Sequence, residues 1–202
     1  MKTLHYKQQS ITPSKVVCIG RNYVEHIKEL GNEIPENMVV FNKPNSAITD
    51  TLYFIDETTR FEAEICFLIE QGKLSGIGVG LDLTKASVQN KMKEKGLPWE
   101  RAKAFDGSAV LSDFVILDKP FESLSMKLSV NDKLQQHATY ELMMYKPLEM
   151  VEEIQSFMSL EDGDIIMSGT PKGVANYKRE DTFHIELYSD EEVILSQTWQ
   201  AK

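Results

Sequence analysis

The stretch that most constrains this chain is Arg60-Phe61-Glu62-Ala63-Glu64-Ile65-Cys66-Phe67-Leu68-Ile69. Its alternation predicts an extended strand with Phe61, Ala63, Ile65, Phe67 and Ile69 on one face and Glu62, Glu64, Cys66 and Leu68 on the other. The second face opens with two carboxylates and continues into Cys66 and Leu68, so it too becomes covered as the strand proceeds. Two like charges roughly 7 Å apart on a partly covered face repel and lose hydration. A divalent cation resolves both costs. The structural alternative is a lysine or arginine on a neighbouring strand.

Other segments bear on that choice. Asp82 lies in an apolar run between Leu81 and Leu83, where an aspartate is out of place unless it caps the following helix or ligates a metal. Val88 and Met92 mark that helix, which Gly96 and Pro98 end. Thr84 is itself a candidate cap, which frees Asp82 as a ligand, and Gln89 lies where it can reach a site at the helix entrance. Upstream, Lys15 to Ile19 reads as a buried strand, with Asn22 as the N-cap of a helix from Tyr23 to Leu30 and a polar loop from Asn32 to Asn37. His26 and Glu29 on this helix share a face, so the carboxylate can orient the imidazole as a general base; an exposed surface pair is the other reading.

The strand Met38 to Phe41 is expected to stop at Asn42-Lys43-Pro44, with Lys43 an ordinary edge or loop lysine or a neutraliser of an anionic substrate. Gly96 to Gly107 reads as a loop in which Lys103, flanked by Ala102, Ala104 and Phe105, either snorkels or meets an anion. In Ser168 to Val174 the glycines permit close backbone approach and Thr170 offers a hydroxyl, consistent with a carboxylate cradle or a plain turn. Ala109 to Leu117 is a strand region. Hairpins are expected around Asn131-Asp132 and around Ser189 to Glu192. Pro147 starts a helix with Met150, Ile154 and Phe157 as its apolar stripe. The balance is α+β, mostly β, with three short helices, in a single domain after an extension over residues 1–14.

Twenty-two basic against 31 acidic residues give a net charge of -9, and no basic cluster interleaves with aromatics, which argues against nucleic acid as a partner. No run of 18 apolar residues or leader-like start is present, so a cytoplasmic protein with no membrane partner is expected. Cys18 and Cys66 each lie in an apolar run and read as buried thiols.

Taken in order, Gly20-Arg21-Asn22-Tyr23 with His26 and Glu29, Phe41 to Pro44, Glu62-Ala63-Glu64, Leu81-Asp82-Leu83-Thr84 with Gln89, Gly96-Leu97-Pro98-Trp99 through Lys103 to Asp106, Leu160 to Ile166, and Gly169 to Val174 resemble the fumarylacetoacetate hydrolase family. Length and the Gly-Leu-Pro-Trp segment are most similar to its acylpyruvase and oxaloacetate decarboxylase branch. The resemblance implies the family's mixed multi-sheet fold and a homodimer. It also implies Mg²⁺ or Mn²⁺ held by Glu62, Glu64 and Asp82, an oxygen set that suits a hard cation. The implied chemistry is C–C cleavage of small β-diketo acids through an enolate, by acylpyruvate hydrolysis or oxaloacetate decarboxylation. His26, Glu29 and Lys103 are the implied catalytic residues, and Arg21, Gln89 and Thr170 the implied substrate contacts. Isomerisation or decarboxylation of a ring-cleavage product, or metal binding with little catalysis, are the alternatives. One departure stands out: Ala86 occupies the position of a family arginine, with Lys85 one residue, about 100°, off register.

Overall fold

The computed structural model describes every residue except Leu30 and Asn32. At its centre the strand Ala63–Glu70 pairs antiparallel on both sides, with Lys73–Asp82 and with Ile165–Met167. These belong to an eight-stranded mixed sheet running Val39–Pro44, Lys15–Gly20, Ile165–Met167, Ala63–Glu70, Lys73–Asp82, Ala109–Leu111, Ile48–Thr49, with Val115–Ile116 also paired to Lys73–Asp82. Both faces of the central strand are covered, as its composition requires. Phe61, Ala63, Ile65, Phe67 and Ile69 enter the main core, while Cys66 and Leu68 pack on the other side with Leu4, Val16, Cys18 and Met167. Both thiols are free and buried.

A second, antiparallel sheet of Lys133–Thr139, Leu124–Val130, Thr182–Ser189 and Glu192–Gln200 closes the main core. Its alternation sends Met126, Leu128, Phe183, Ile185 and Leu187 inward. Asn131 and Asp132 turn its first hairpin at positive φ, a conformation that short polar residues tolerate. A register shift after Leu128 pairs Leu128 with Gln136 and Ser129 with Leu134, so Gln135 is left over as a bulge. Gln136 faces inward and is buried. The protein is thus α+β, mostly strand in several sheets with short helices, as its composition of elements suggested. Among the described residues no helix is long and apolar enough to cross a membrane.

The α-helices number four among the described residues: α1 Val24–Glu29, α2 Ala86–Glu94, α3 Glu100–Lys103 and α4 Pro147–Gln155. The fourth comes from the Gly96–Gly107 stretch, expected as loop. The expected helix end at Leu30 and loop start at Asn32 lie outside the described residues. Asn22 does not serve as a helix cap but as a tie: its amide donates to Tyr145 O and Ser168 O and accepts from Tyr145 N. The strand through Val39 runs on to Pro44, because it is a sheet edge where a missing N–H costs no ladder bond. Phe157 lies beyond α4 and is exposed, so only Met150 and Ile154 form the expected stripe. The Ala109–Leu117 region is two short strands, Ala109–Leu111 and Val115–Ile116.

Candidate active site

The site is built where the central hairpin meets its neighbours. The register sets Ala63 against Leu81, and Asp82 N donates to Glu62 O at 2.8 Å, so the acidic end of one strand lies beside Asp82 at the end of the next. Ligand atoms of Glu62, Glu64 and Asp82 fall within 4.8 Å of one another, with Glu64 and Asp82 buried. Thr84 sits in a short strand and donates its hydroxyl to Glu62 Oε1 at 3.0 Å, so it fixes the acidic cluster instead of capping α2, whose N-cap is Lys85. Glu64 Oε2 accepts the Gly169 N–H at 2.7 Å. Gly169 has φ +94°, and a Cβ there would lie 2.8 Å from Ile19 O, so only glycine brings that N–H to the carboxylate.

Two lysines answer the acidic charge. Lys103, placed by α3, donates to Glu62 Oε2 and Asp82 Oδ2, both at 2.7 Å. Lys43 is fully buried, which corrects its reading as an edge or loop lysine; its ammonium lies 2.7 Å from Asp82 Oδ1 and donates to Lys103 O. The Lys43–Asp82 contact is an ion pair without hydrogen-bond alignment, leaving Oδ1 with lone-pair capacity inside the cluster. Burial alone would raise Asp82, but Lys103 and Lys43 outweigh it and hold the carboxyl below its ordinary value. Lys103 is likewise desolvated, yet Asp82 and Glu62 hold it firmly as an ammonium. Burial first, then the charges of Asp82 and Glu62, push Glu64 well above the usual carboxylate range. Three carboxylates against two ammoniums thus leave Glu64 without a counter-cation, and in the metal-free protein that favours its protonated form. An all-oxygen set whose third carboxylate lacks a counter-charge fits a hard divalent cation.

Of the remaining expected residues Arg21, His26, Gln89 and Thr170 converge on the same cavity, of about 40 Å³, which the acidic cluster, Lys103, Lys93, Phe41 and Trp99 also line; Glu29 stands behind His26. His26 is buried, and its Nδ1 lies 3.2 Å from Glu29 Oε2. With Nδ1–H donated to that carboxylate, Nε2 is the nitrogen left to accept a proton. Glu29 also accepts the Gly173 N–H, at 3.0 Å to Oε1, so α1 is pinned to the Ser168–Val174 loop. Arg21 turns into this region at φ +56°, a strained conformation for a residue with a side chain, and its guanidinium reaches Glu33 O. The Thr170 hydroxyl donates to Ala63 O at 2.9 Å, which commits its proton to the strand of Glu62 and Glu64.

Gln136 is the residue that sequence reasoning missed. Its Nε2 donates to Thr170 Oγ1 and Pro171 O, both at 2.9 Å, and its Oε1 accepts from Ala63 N at 3.0 Å, between Glu62 and Glu64. It ties the ligand strand, the Thr170 loop and the second sheet together. A single glutamine in an expected hairpin strand carries no local signal of a tie to segments tens of residues away. Beside the cavity a cleft of about 400 Å³ between Val39–Asn42, Leu97–Glu100 and Phe157–Met158 shares Phe41, Trp99 and Lys103 with it. A larger surface cleft, about 970 Å³ around Lys2, Asn45, Asp50 and Tyr53, lies elsewhere. The Asn45 side chain there is already bonded to Lys2 and Pro13, so volume does not locate the chemistry.

Residues 15–196 match the family profile described as fumarylacetoacetate (FAA) hydrolase C-terminal. The chain therefore belongs to the fumarylacetoacetate hydrolase family. It is 38% identical over 181 aligned positions to an oxaloacetate tautomerase of Escherichia coli, covering 80% of this chain and 82% of that one. A putative fumarylacetoacetate isomerase/hydrolase from Oleispira antarctica has the same fold, with TM-score 0.94 at 32% identity over the whole of both chains. A fumarylpyruvate hydrolase from Pseudomonas aeruginosa, solved with Mn²⁺ and pyruvate, is similar at TM-score 0.87 and 26% identity, covering 98% of this chain and 94% of that one.

Proposed function

We propose that this chain is a divalent-metal-dependent enzyme that enolises short 2-keto acids carrying an acidic C3 proton, with oxaloacetate as substrate and Mg²⁺ or Mn²⁺ as cofactor. The observation that carries the reading is the convergence of Glu62, Glu64 and Asp82 in one cavity with the His26–Glu29 pair and Lys103. The similarity to oxaloacetate tautomerases supports the choice of substrate. A cation held by the three carboxylates supplies Lewis-acid stabilisation of negative charge on the keto oxygen.

The chain's own groups do the rest. His26, held by Glu29, takes the C3 proton on Nε2, and the C–H electron pair becomes the C2–C3 double bond while the carbonyl oxygen gains charge. Lys103, kept as an ammonium by Glu62 and Asp82, stands at the cavity to stabilise that charge. Gln89 and Arg21 orient the acid, and the Thr170 loop sets the wall opposite. The helix α1, which carries His26 and is pinned through Glu29 to Gly173, acts as a lid that closes over bound substrate. The working unit is a homodimer.

A second reading, acylpyruvate hydrolysis, uses the same dyad to deprotonate water, and the fold shared with a fumarylpyruvate hydrolase favours it. The test is a screen of oxaloacetate, acetylpyruvate and longer acylpyruvates with Mg²⁺, Mn²⁺ or chelator. Metal-dependent keto–enol exchange of oxaloacetate, lost in His26→Ala, is the expected result. Cleavage of acylpyruvates without oxaloacetate exchange selects the second reading, and no metal-dependent turnover of any of them removes both.

A further inference from the structure

The cavity carries more positive charge than one keto-acid carboxylate uses. With a divalent cation bound, the three carboxylates, Lys43 and Lys103 leave a single positive charge, which the C1 carboxylate of a 2-keto acid neutralises. Lys93 also faces this cavity. It is half-buried, its ammonium stands 5.3 Å from the Trp99 ring centroid, and among the described residues no carboxylate forms an ion pair with it. Trp99 packs on Phe41 with centroids 6.0 Å apart, and Lys103 lies 5.1 Å from the Phe41 centroid. One aromatic wall thus connects the two ammoniums, Lys103 at the acidic cluster and Lys93 away from it.

The position follows from helix geometry. Residues 86 and 93 are seven apart, about 20° short of two full turns, so they lie on the same face of α2, with Gln89 between them. Ala86 is the buried position of that face and brings no charge to it. Lysine side chains on a helix point back toward its N-terminus, which aims Lys93 at the cavity that Gln89 also lines. Its neighbours Lys91 and Lys95 are exposed. Burial, then the charges of Arg21 and Lys103, act against the Lys93 ammonium and outweigh the attraction of Glu62, as expected of a cation with no paired counter-anion.

We propose that Lys93 is the specificity-determining residue of this site, pairing with the distal carboxylate of a dicarboxylic 2-keto acid. The assignment rests on the keto-acid reading of the cavity, and it makes the site selective for dianions over monoanions of the same length. A structural lysine on the last turn of α2, placed there by the helix dipole, is the ordinary alternative.

The test is calorimetric binding to the Mg²⁺- or Mn²⁺-loaded protein, which needs no turnover. The probes are 3,3-difluorooxaloacetate, a dianion unable to enolise, and 2-oxobutyrate, a C4 acid without the distal carboxylate. Wild type binds the dianion more tightly; Lys93→Met weakens it about 10–100-fold, as loss of a charge-assisted hydrogen bond predicts, and leaves 2-oxobutyrate within about 3-fold. Lys93→Arg recovers most of the difference. Equal loss for both ligands, or wild-type binding of the dianion no tighter than of 2-oxobutyrate, overturns the assignment. Failure of oxaloacetate turnover with this selectivity intact overturns the reaction and not the role of Lys93.

Discussion

Replacing Glu64 by glutamine separates the charge of the acidic cluster from its shape. The ligand atoms of the cluster lie within 4.8 Å of one another, so each pair of ionised carboxylates repels by roughly 3–4 kcal/mol at an effective dielectric of about 20. Glu64 faces Asp82 and Glu62 and is only partly compensated by Lys103, since that ammonium is hydrogen-bonded to the other two. A net gain of about 3 kcal/mol for the metal-free protein follows, which for a chain of this size is roughly 6–12 °C in Tm. The sign depends on pH. The folded Glu64 carboxyl titrates above its ordinary value of 4.5, so its penalty is absent below that value and grows as pH rises toward the folded one. Glu64→Gln should therefore melt like wild type in mild acid and higher than wild type in alkali. With metal the gap closes and then reverses: a divalent cation stabilises wild type by about 2.7 kcal/mol at about 100 times its dissociation constant and by about 4.1 kcal/mol at about 1,000 times, and the variant loses most of that shift. Thermal melts with and without Mg²⁺ at several pH values measure both. A variant that is less stable than wild type without metal, yet keeps the full metal-dependent shift, would refute the reasoning.

Three further outcomes are expected. Gln136→Leu leaves Ala63 N and Pro171 O without their partner and should cost about 2–4 kcal/mol, with weaker Mg²⁺ binding by calorimetry; unchanged metal affinity would sink its role in positioning the ligand strand. Gly173→Ala sets a Cβ 2.1 Å from Gln135 O at φ +102° and should lower stability by about 2–4 kcal/mol and turnover with it, because the N–H that holds Glu29 is displaced; wild-type melting would contradict the geometry. Asp164 accepts from Ser14 N and Oγ, Lys15 N and Nζ, and Glu161 N. Burial opposes its ionisation, but Lys15 and Ser14 outweigh it and hold the carboxyl below its ordinary 3.8. Its contribution is present above that value and fades as pH falls through the folded one. Asp164→Asn should cost about 2 kcal/mol at pH 7 and progressively less below about pH 4, read from melts across that range.

Much of the site was legible because its residues break local rules. Carboxylates at the head of an apolar strand, and Asp82 between two leucines, have no reason to be there as fold-formers, and they meet in one cluster. His26 and Glu29 form their pair because i,i+3 spacing puts both side chains on one face of the helix. Thr84, Asn22 and Lys43 were misread for the opposite reason. Each has an ordinary local use as a helix cap or a surface cation, and each is spent instead on a partner distant in sequence: Glu62 for Thr84, Tyr145 and Ser168 for Asn22, Asp82 for Lys43.

Periodicity is a property of neighbouring residues, so the chain alone determined its central strand, the two faces that strand buries, the hairpin turns and the placing of Glu62 and Glu64 on one face; that Asp82 joins them was decided by the fold. Which lysine answers which carboxylate, and how Gln136 and Gly169 hold the ligand strand, were decided by the folded structure. Those contacts join elements tens of residues apart, and their energies come from burial and alignment that no local pattern encodes.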